Sequence, residues 1–232
     1  MAVKDDIQGV LWTVYQRKGY ETLLKCAWEV MAKCESKAKD MYYRQMKGEV
    51  AEVVLDCGLR ELQKVIKPSI VLKGLCIPIR STGGTTELDV SFVTPRKIFL
   101  FECKSYKNRP SVTGECLLGD NMDVAAQSKY HLKGLHEYIG RLCDTNKGPP
   151  YKFILFEMSM DGVEDVRSPE NQKRIPIYNP DNFVAELTKE YAQLPDNVWN
   201  INEVVKVLEP LAKNSDETFK KHLARMAKKK EG

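Results

Sequence analysis

Two carboxylates and an ammonium sit where a sheet ought to be dry. The segment IFLFECKSYK, residues 98–107, is apolar until Glu102 and Lys104 interrupt it, and TELDVSFV, residues 86–93, carries Asp89. Burying one unpaired charge is costly, so these side chains are either exposed or held for a purpose. Side chains alternate along a strand. Glu102 and Lys104 therefore share a face with Ile98 and Leu100, while Phe99, Phe101 and Cys103 take the other. Both faces are apolar at the start of the segment, which predicts a central strand covered on both sides. Only its C-terminal end turns polar, and that is where open α/β sheets place their sites.

In the preceding segment Glu87, Asp89, Ser91 and Val93 are expected on one face. If the TPRK turn, residues 94–97, pairs Val93 with Ile98, Asp89 falls opposite Glu102. Glu102 and Lys104 alone could simply neutralise each other, but two carboxylates directly opposite destabilise a sheet. A divalent cation resolves that conflict. Hard carboxylate oxygens on rigid strands, with positions open to water and phosphate, describe a Mg²⁺ site in which Mn²⁺ is expected to substitute. A third carboxylate lies upstream in MKGEVAEVVLDCG, residues 46–58, whose apolar stripe runs through Met46, Val50, Val53, Val54 and Cys57. At helical periodicity Glu49 borders that stripe and leans toward the sheet, whereas Glu52 is expected to turn toward solvent.

GEVAEVVL, TELDVSFV, IFLFECKSYK and the later AAQSKY together resemble the PD-(D/E)XK nuclease superfamily. They are most similar to its nuclease-related domain (NERD) and Holliday-junction-resolvase-like branches, over roughly residues 45–190. The resemblance implies that Asp89, Glu102 and the backbone carbonyl of Cys103 bind the metal, with Glu49 contributing to metal or water binding. It implies that Lys104 orients or activates the attacking water and offsets charge on the phosphate, and that Gln127 lies beside these groups. Leu88 stands where the superfamily's name motif has proline. The implied activity is metal-dependent hydrolysis of phosphodiester bonds, with DNA as the expected substrate. The alternative is a nuclease-like fold that binds nucleic acid, or serves an assembly, without cleaving.

Other residues carry weaker signals. Tyr106, Lys107 and Arg109 form a basic loop with one aromatic, suited to backbone phosphate or simply solvated. His131, one turn after Gln127, reads as packed or exposed rather than functional. STGGTT, residues 81–86, lacks the G-K-[ST] ending of a phosphate-binding loop and reads as a hairpin turn.

The elements that must position this chemistry follow an α/β order. A helical first third, with few breakers over 21–66 apart from Gly48 and Gly58, leads into PSIVLKGLCIPI (68–79). With the two charged segments this makes an antiparallel meander. A loop containing Gly114 and Gly119 follows, then a helix over 121–142 and an apolar strand in YKFILFEMSM (151–160). A short strand and helix come next in RIPIYNPDNFVAEL (174–187), with Asn179 or Asp181 as cap candidates. A last helix covers 201–213. The expected fold is a central mixed sheet flanked by helices, a restriction-endonuclease-like core over 41–192. A helical extension over 1–40 precedes it, and a C-terminal helix and basic tail over 193–232 follow.

Composition bounds the class. With 43% hydrophobic and 29% charged residues the chain is not broadly disordered. No apolar run approaches the roughly 18 residues of a membrane span, and MAVKDDIQGV lacks the apolar core of a signal peptide. A cytoplasmic location, the host's if phage-encoded, and no membrane partner are expected. Seven cysteines without a C-x-x-C pair argue against zinc and for reduced thiols. A net charge of +4 is compatible with a nucleic-acid partner, and the tail KKHLARMAKKKEG is either a solvated end or a phosphate contact. A homodimer or larger assembly is also compatible with these features.

Overall fold

A computed structural model describes residues 6–37, 41–79, 81, 84–106, 109–119, 122–139, 150–196 and 199–213. Helices α1 (Ile7–Lys18), α2 (Tyr20–Glu35) and α3 (Met41–Val65) lead into strands β1 (Ile70–Ile79), β2 (Gly84–Val93) and β3 (Ile98–Lys104). Three short strands follow, β4 (Ser111–Thr113), β5 (Leu117–Leu118) and β6 (Met122–Asp123), then α4 (Val124–Ile139) and β7 (Tyr151–Glu157). The chain continues through β8 (Glu164–Asp165), α5 (Pro169–Arg174), β9 (Ile177–Tyr178), α6 (Phe183–Ala192) and α7 (Ile201–Lys213).

The main sheet runs β1-β2-β3-β7-β9. Its first three strands form the antiparallel meander, and β7 and β9 add in parallel to β3. This is the mixed α/β sheet the sequence predicts. The charged strand β3 is central, with its first five residues buried. On one face Phe99 and Phe101 pack with Val54, Leu59 and Leu62 of α3, with Leu23 and Met31 of α2, and with Phe183 of α6. On the other, Ile98 and Leu100 pack with Leu135 of α4 and Leu208 of α7. Helices α1 and α2 thus share one apolar core with α3 and the sheet.

The expected loop after Pro110 and the first residues of the expected helix at 121–142 instead supply β4, β5 and β6, which form a second sheet with β8, ordered β6-β5-β4-β8. Its strands are too short to show periodicity in the sequence. Both glycines of α3 lie inside the helix. At Gly58 an added Cβ would stand 2.1 Å from the Phe183 ring, so the α3–α6 contact demands glycine there. Asn179 does organise the start of α6, its side-chain oxygen accepting the amides of Asp181 and Asn182. The helix's own cap position is Asn182, whose side chain makes no capping bond to the helix. The 220–232 tail lies outside the described residues. Among those described, no helix is long and apolar enough to cross a membrane.

Candidate active site

The register of the two charged strands is set by their turn. Thr94 closes it, with its amide and its hydroxyl both donating to the Lys97 carbonyl, at 3.1 and 2.7 Å. Val93 then pairs with Ile98, and the ladder continues to Val90 with Phe101. The next position in that register sets Asp89 beside Glu102. There the side chain enters: Asp89 Oδ2 accepts the Cys103 amide at 2.7 Å.

The ladder to β1 also skips Asp89 and its counterpart Gly74, whose φ of +59° lies in the left-handed region that suits glycine. The alternation of faces slips by one at this point. Leu72 and Leu75, three apart, both pack toward α4 and α7, as do Leu88 and Val93, five apart. The charge of Glu87 acts on Glu52 of α3.

Glu102 is 1% exposed. Its Oε1 accepts from Lys104 Nζ at 2.5 Å and from Gln127 Nε2 at 2.8 Å. Gln127 is presented by the first turns of α4, which cover this face of the sheet. Oε2 has no hydrogen-bond partner among the described residues, and the nearest complement is His131 Nε2 at 3.5 Å. Burial pushes the Glu102 carboxyl up, but His131 and Lys104 more than offset it and hold the group below its ordinary value. Asp89 behaves oppositely. Burial and the adjacent Glu102 push it up to about 7, against the Cys103 amide and Lys104, which pull it down. Lys104 is lowered by burial yet raised overall by Glu102, so it stays an ammonium.

The α3 glutamates differ from the expectation. Glu49 is half-buried and accepts from Gln45 one turn earlier at 3.0 Å. Glu52 does not turn away to solvent. It is half-buried, burial raises its carboxyl, Lys73 and more weakly Lys104 pull it down, and its charge acts on Asp89 and Cys103. The helical stripe misleads because α3 is buried almost all round from Val50 to Leu59, between α1 and α2 on one side and the sheet on the other. The Cys103 thiol is pushed well up by burial, which leaves it a protonated, inert side chain.

Beyond β3 the chain is pinned. Buried Lys47 pairs with Glu35 at 2.6 Å and donates to the Tyr106 carbonyl at 2.9 Å, while the Tyr106 amide donates to Ser159 Oγ at 2.8 Å. Lys47 is a strut that sequence reasoning missed, since one lysine at a helix start carries no signal. The Tyr106 hydroxyl donates to Met122 Sδ at 3.5 Å. Arg109 is exposed, and Lys107 lies outside the described residues.

Among the described residues no group of three or more His, Cys, Asp and Glu side chains is arranged around a cation position. The donor chemistry nevertheless fits a hard divalent ion. Two carboxylates stand side by side, one is forced up by burial and by the other, a third is within their field, and Glu102 Oε2 is buried without a hydrogen-bond partner among the described residues.

A mixed sheet whose central strand ends in a glutamate–lysine pair beside an aspartate defines a nuclease-like α/β core. Residues 47–156, just under half of the chain, match the family model of the nuclease-related domain, NERD. The match contains Glu52, Asp89, Glu102, Lys104, Gln127 and His131. No curated protein and no solved structure matches the chain.

Proposed function

We propose that the protein is a metal-dependent nuclease that hydrolyses phosphodiester bonds of DNA, with Mg²⁺ or Mn²⁺ as its cation. The observation that carries this reading is the pairing of Asp89 with Glu102, a carboxylate pair that cannot comfortably ionise without added positive charge. Asp89, Glu102 and the Cys103 carbonyl would hold the cation, and Glu52 is the helical carboxylate whose charge acts on Asp89. When bound, the cation supplies Lewis-acid polarisation of the scissile phosphate.

The protein's own groups do the rest. Lys104, kept protonated by Glu102, places a mobile ammonium beside the reacting phosphate and offsets the charge that develops on it. Gln127 and Lys104 together fix Glu102 Oε1, so the carboxylate presents a defined edge. While the pair is bare Asp89 keeps its proton below about pH 7, and added positive charge favours its release. The pinned chain at Tyr106 keeps the end of β3 from fraying, and Arg109 is placed to meet backbone phosphate.

The test is incubation of purified protein with plasmid, linear and single-stranded DNA, in Mg²⁺ or Mn²⁺ and in EDTA. Cleavage that requires the metal and is abolished by Lys104→Ala is expected. Intact DNA in every condition contradicts the reading.

A further inference from the structure

We infer that His131 is a positioning residue for Glu102, with Thr86 orienting the imidazole so that its Nε2–H faces Glu102 Oε2. The inference rests on the reading of Glu102 as a cation ligand. His131 is 3% exposed, and its ring lies nearly parallel to that of Phe153, with centroids 6.0 Å apart and planes 15° apart. The ring plane is therefore set by packing. Its Nδ1 contacts Thr86 Oγ1 on β2, and its Nε2 lies 3.5 Å from Glu102 Oε2 on β3. Both of those last two atoms are buried and without a hydrogen-bond partner among the described residues. The approach of α4 that makes this possible depends on Gly134, one turn on. A Cβ there would meet Ile79, Thr86 and Ile77 at 3.2–3.4 Å.

The donor inventory selects one arrangement. The hydroxyl of Thr86 carries one hydrogen and a neutral imidazole carries one. If Nδ1 carried the ring hydrogen and donated to Thr86, Nε2 would point a lone pair at a carboxylate oxygen in a dry site, which is repulsive. If Thr86 donates to Nδ1, the ring hydrogen is on Nε2 and faces an acceptor. Of the two neutral tautomers, only the second gives each buried atom its complement. The separation of 3.5 Å is longer than a made hydrogen bond, as is common at sites that tighten when their ligand arrives.

Glu102 is then held at both oxygens, by Lys104 and Gln127 at one and His131 at the other, with lone pairs remaining for a cation. Groups that orient a metal ligand in this way typically change metal affinity about 10–100-fold when removed.

The experiment uses the full chain and needs no DNA. A long-range proton–nitrogen correlation on ¹⁵N-labelled, metal-free protein reads the His131 tautomer directly. The Nε2–H form is expected in the wild type, and a mixture of tautomers in Thr86→Val. Calorimetric titration with Mn²⁺ is expected to show affinity about 10–100-fold weaker in His131→Leu. His131→Gln, whose amide nitrogen lies near the place of Nε2, is expected to recover most of it, which a merely space-filling role would not predict. An Nδ1–H tautomer in the wild type overturns the inference, as does His131→Leu with unchanged affinity, or His131→Gln as weak as His131→Leu. Should His131→Leu not fold, Thr86→Val carries the comparison by both readouts. A wild type that binds no Mn²⁺ defeats the nuclease reading, while the tautomer still decides how the ring is held.

Discussion

Two buried ionic clusters in this protein are built on opposite terms. Just after the last strand of the small sheet, Arg167 has a side chain that is 0% exposed and fully employed. Its Nε and Nη2 each meet a carboxylate oxygen of Asp165 at 2.8 Å, and Nη1 donates to the Ile175 carbonyl at 2.9 Å. Burial raises the Asp165 carboxyl, but its bonds with Arg167 lower it further, and neither residue keeps a buried polar atom without a partner among those described. At the end of β3 the balance is left open. Asp89 and Glu102 share the ammonium of Lys104 while Glu52 adds its charge from α3, Asp89 is driven up to about 7, and Glu102 Oε2 and His131 Nε2 have no hydrogen-bond partner among the described residues. A charge buried for architecture is compensated within the fold, whereas a cluster left overcharged is completed by something that arrives.

Breaking the two clusters should therefore have different signatures. The largest effect expected is on chemistry: Lys104→Ala should slow DNA cleavage by about a thousandfold or more, equivalent to roughly 4 kcal/mol of transition-state stabilisation, as measured by initial rates on plasmid. Arg167→Ala should act on stability, costing about 3–5 kcal/mol in urea unfolding because it strands Asp165 and three carbonyls.

Asp89→Asn should do the reverse. The folded-state carboxyl of Asp89 lies at about 7 against an ordinary 3.8, so the folded protein binds the extra proton between those values. Its contribution to stability is complete below about pH 4 and is lost as pH rises through about 7, at most about 1.4 kcal/mol per pH unit. At pH 8 the metal-free Asp89→Asn protein should be more stable than wild type by an amount on the order of 1–3 kcal/mol, with no gain at pH 4. Urea midpoints at the two pH values check this. The smallest effect marks the baseline: Asp196→Asn removes an ion pair with Arg96 whose acid is 89% exposed, and should change stability by about 0.5 kcal/mol or less.

The meander, the register and the Asp89–Glu102 adjacency were legible because a four-residue turn leaves the strands little freedom, and β alternation does the rest. Gln127 was legible from its motif and meets Glu102. The slip at Gly74 was not, since one glycine in a strand does not announce a left-handed φ. Glu52 was missed because periodicity reports which side of a helix is buried, but not against which neighbour. His131 was read as a packed or exposed histidine, and it is indeed buried. Its place one turn beyond Gln127 was visible, but its aim at Glu102 depends on Gly134 and on Phe153. The small sheet escaped because strands of two or three residues leave no pattern to count.

The central claim is that the open cluster is a cation site, and calorimetric titration of Mn²⁺ at pH 7 into wild type and Asp89→Asn tests it most directly. The account predicts saturable binding by the wild type with release of about half a proton, read from the dependence of the heat on buffer. It also predicts an Asp89→Asn variant at least about tenfold weaker that releases fewer protons. No binding at millimolar Mn²⁺, or equal affinity in the two proteins, would contradict it.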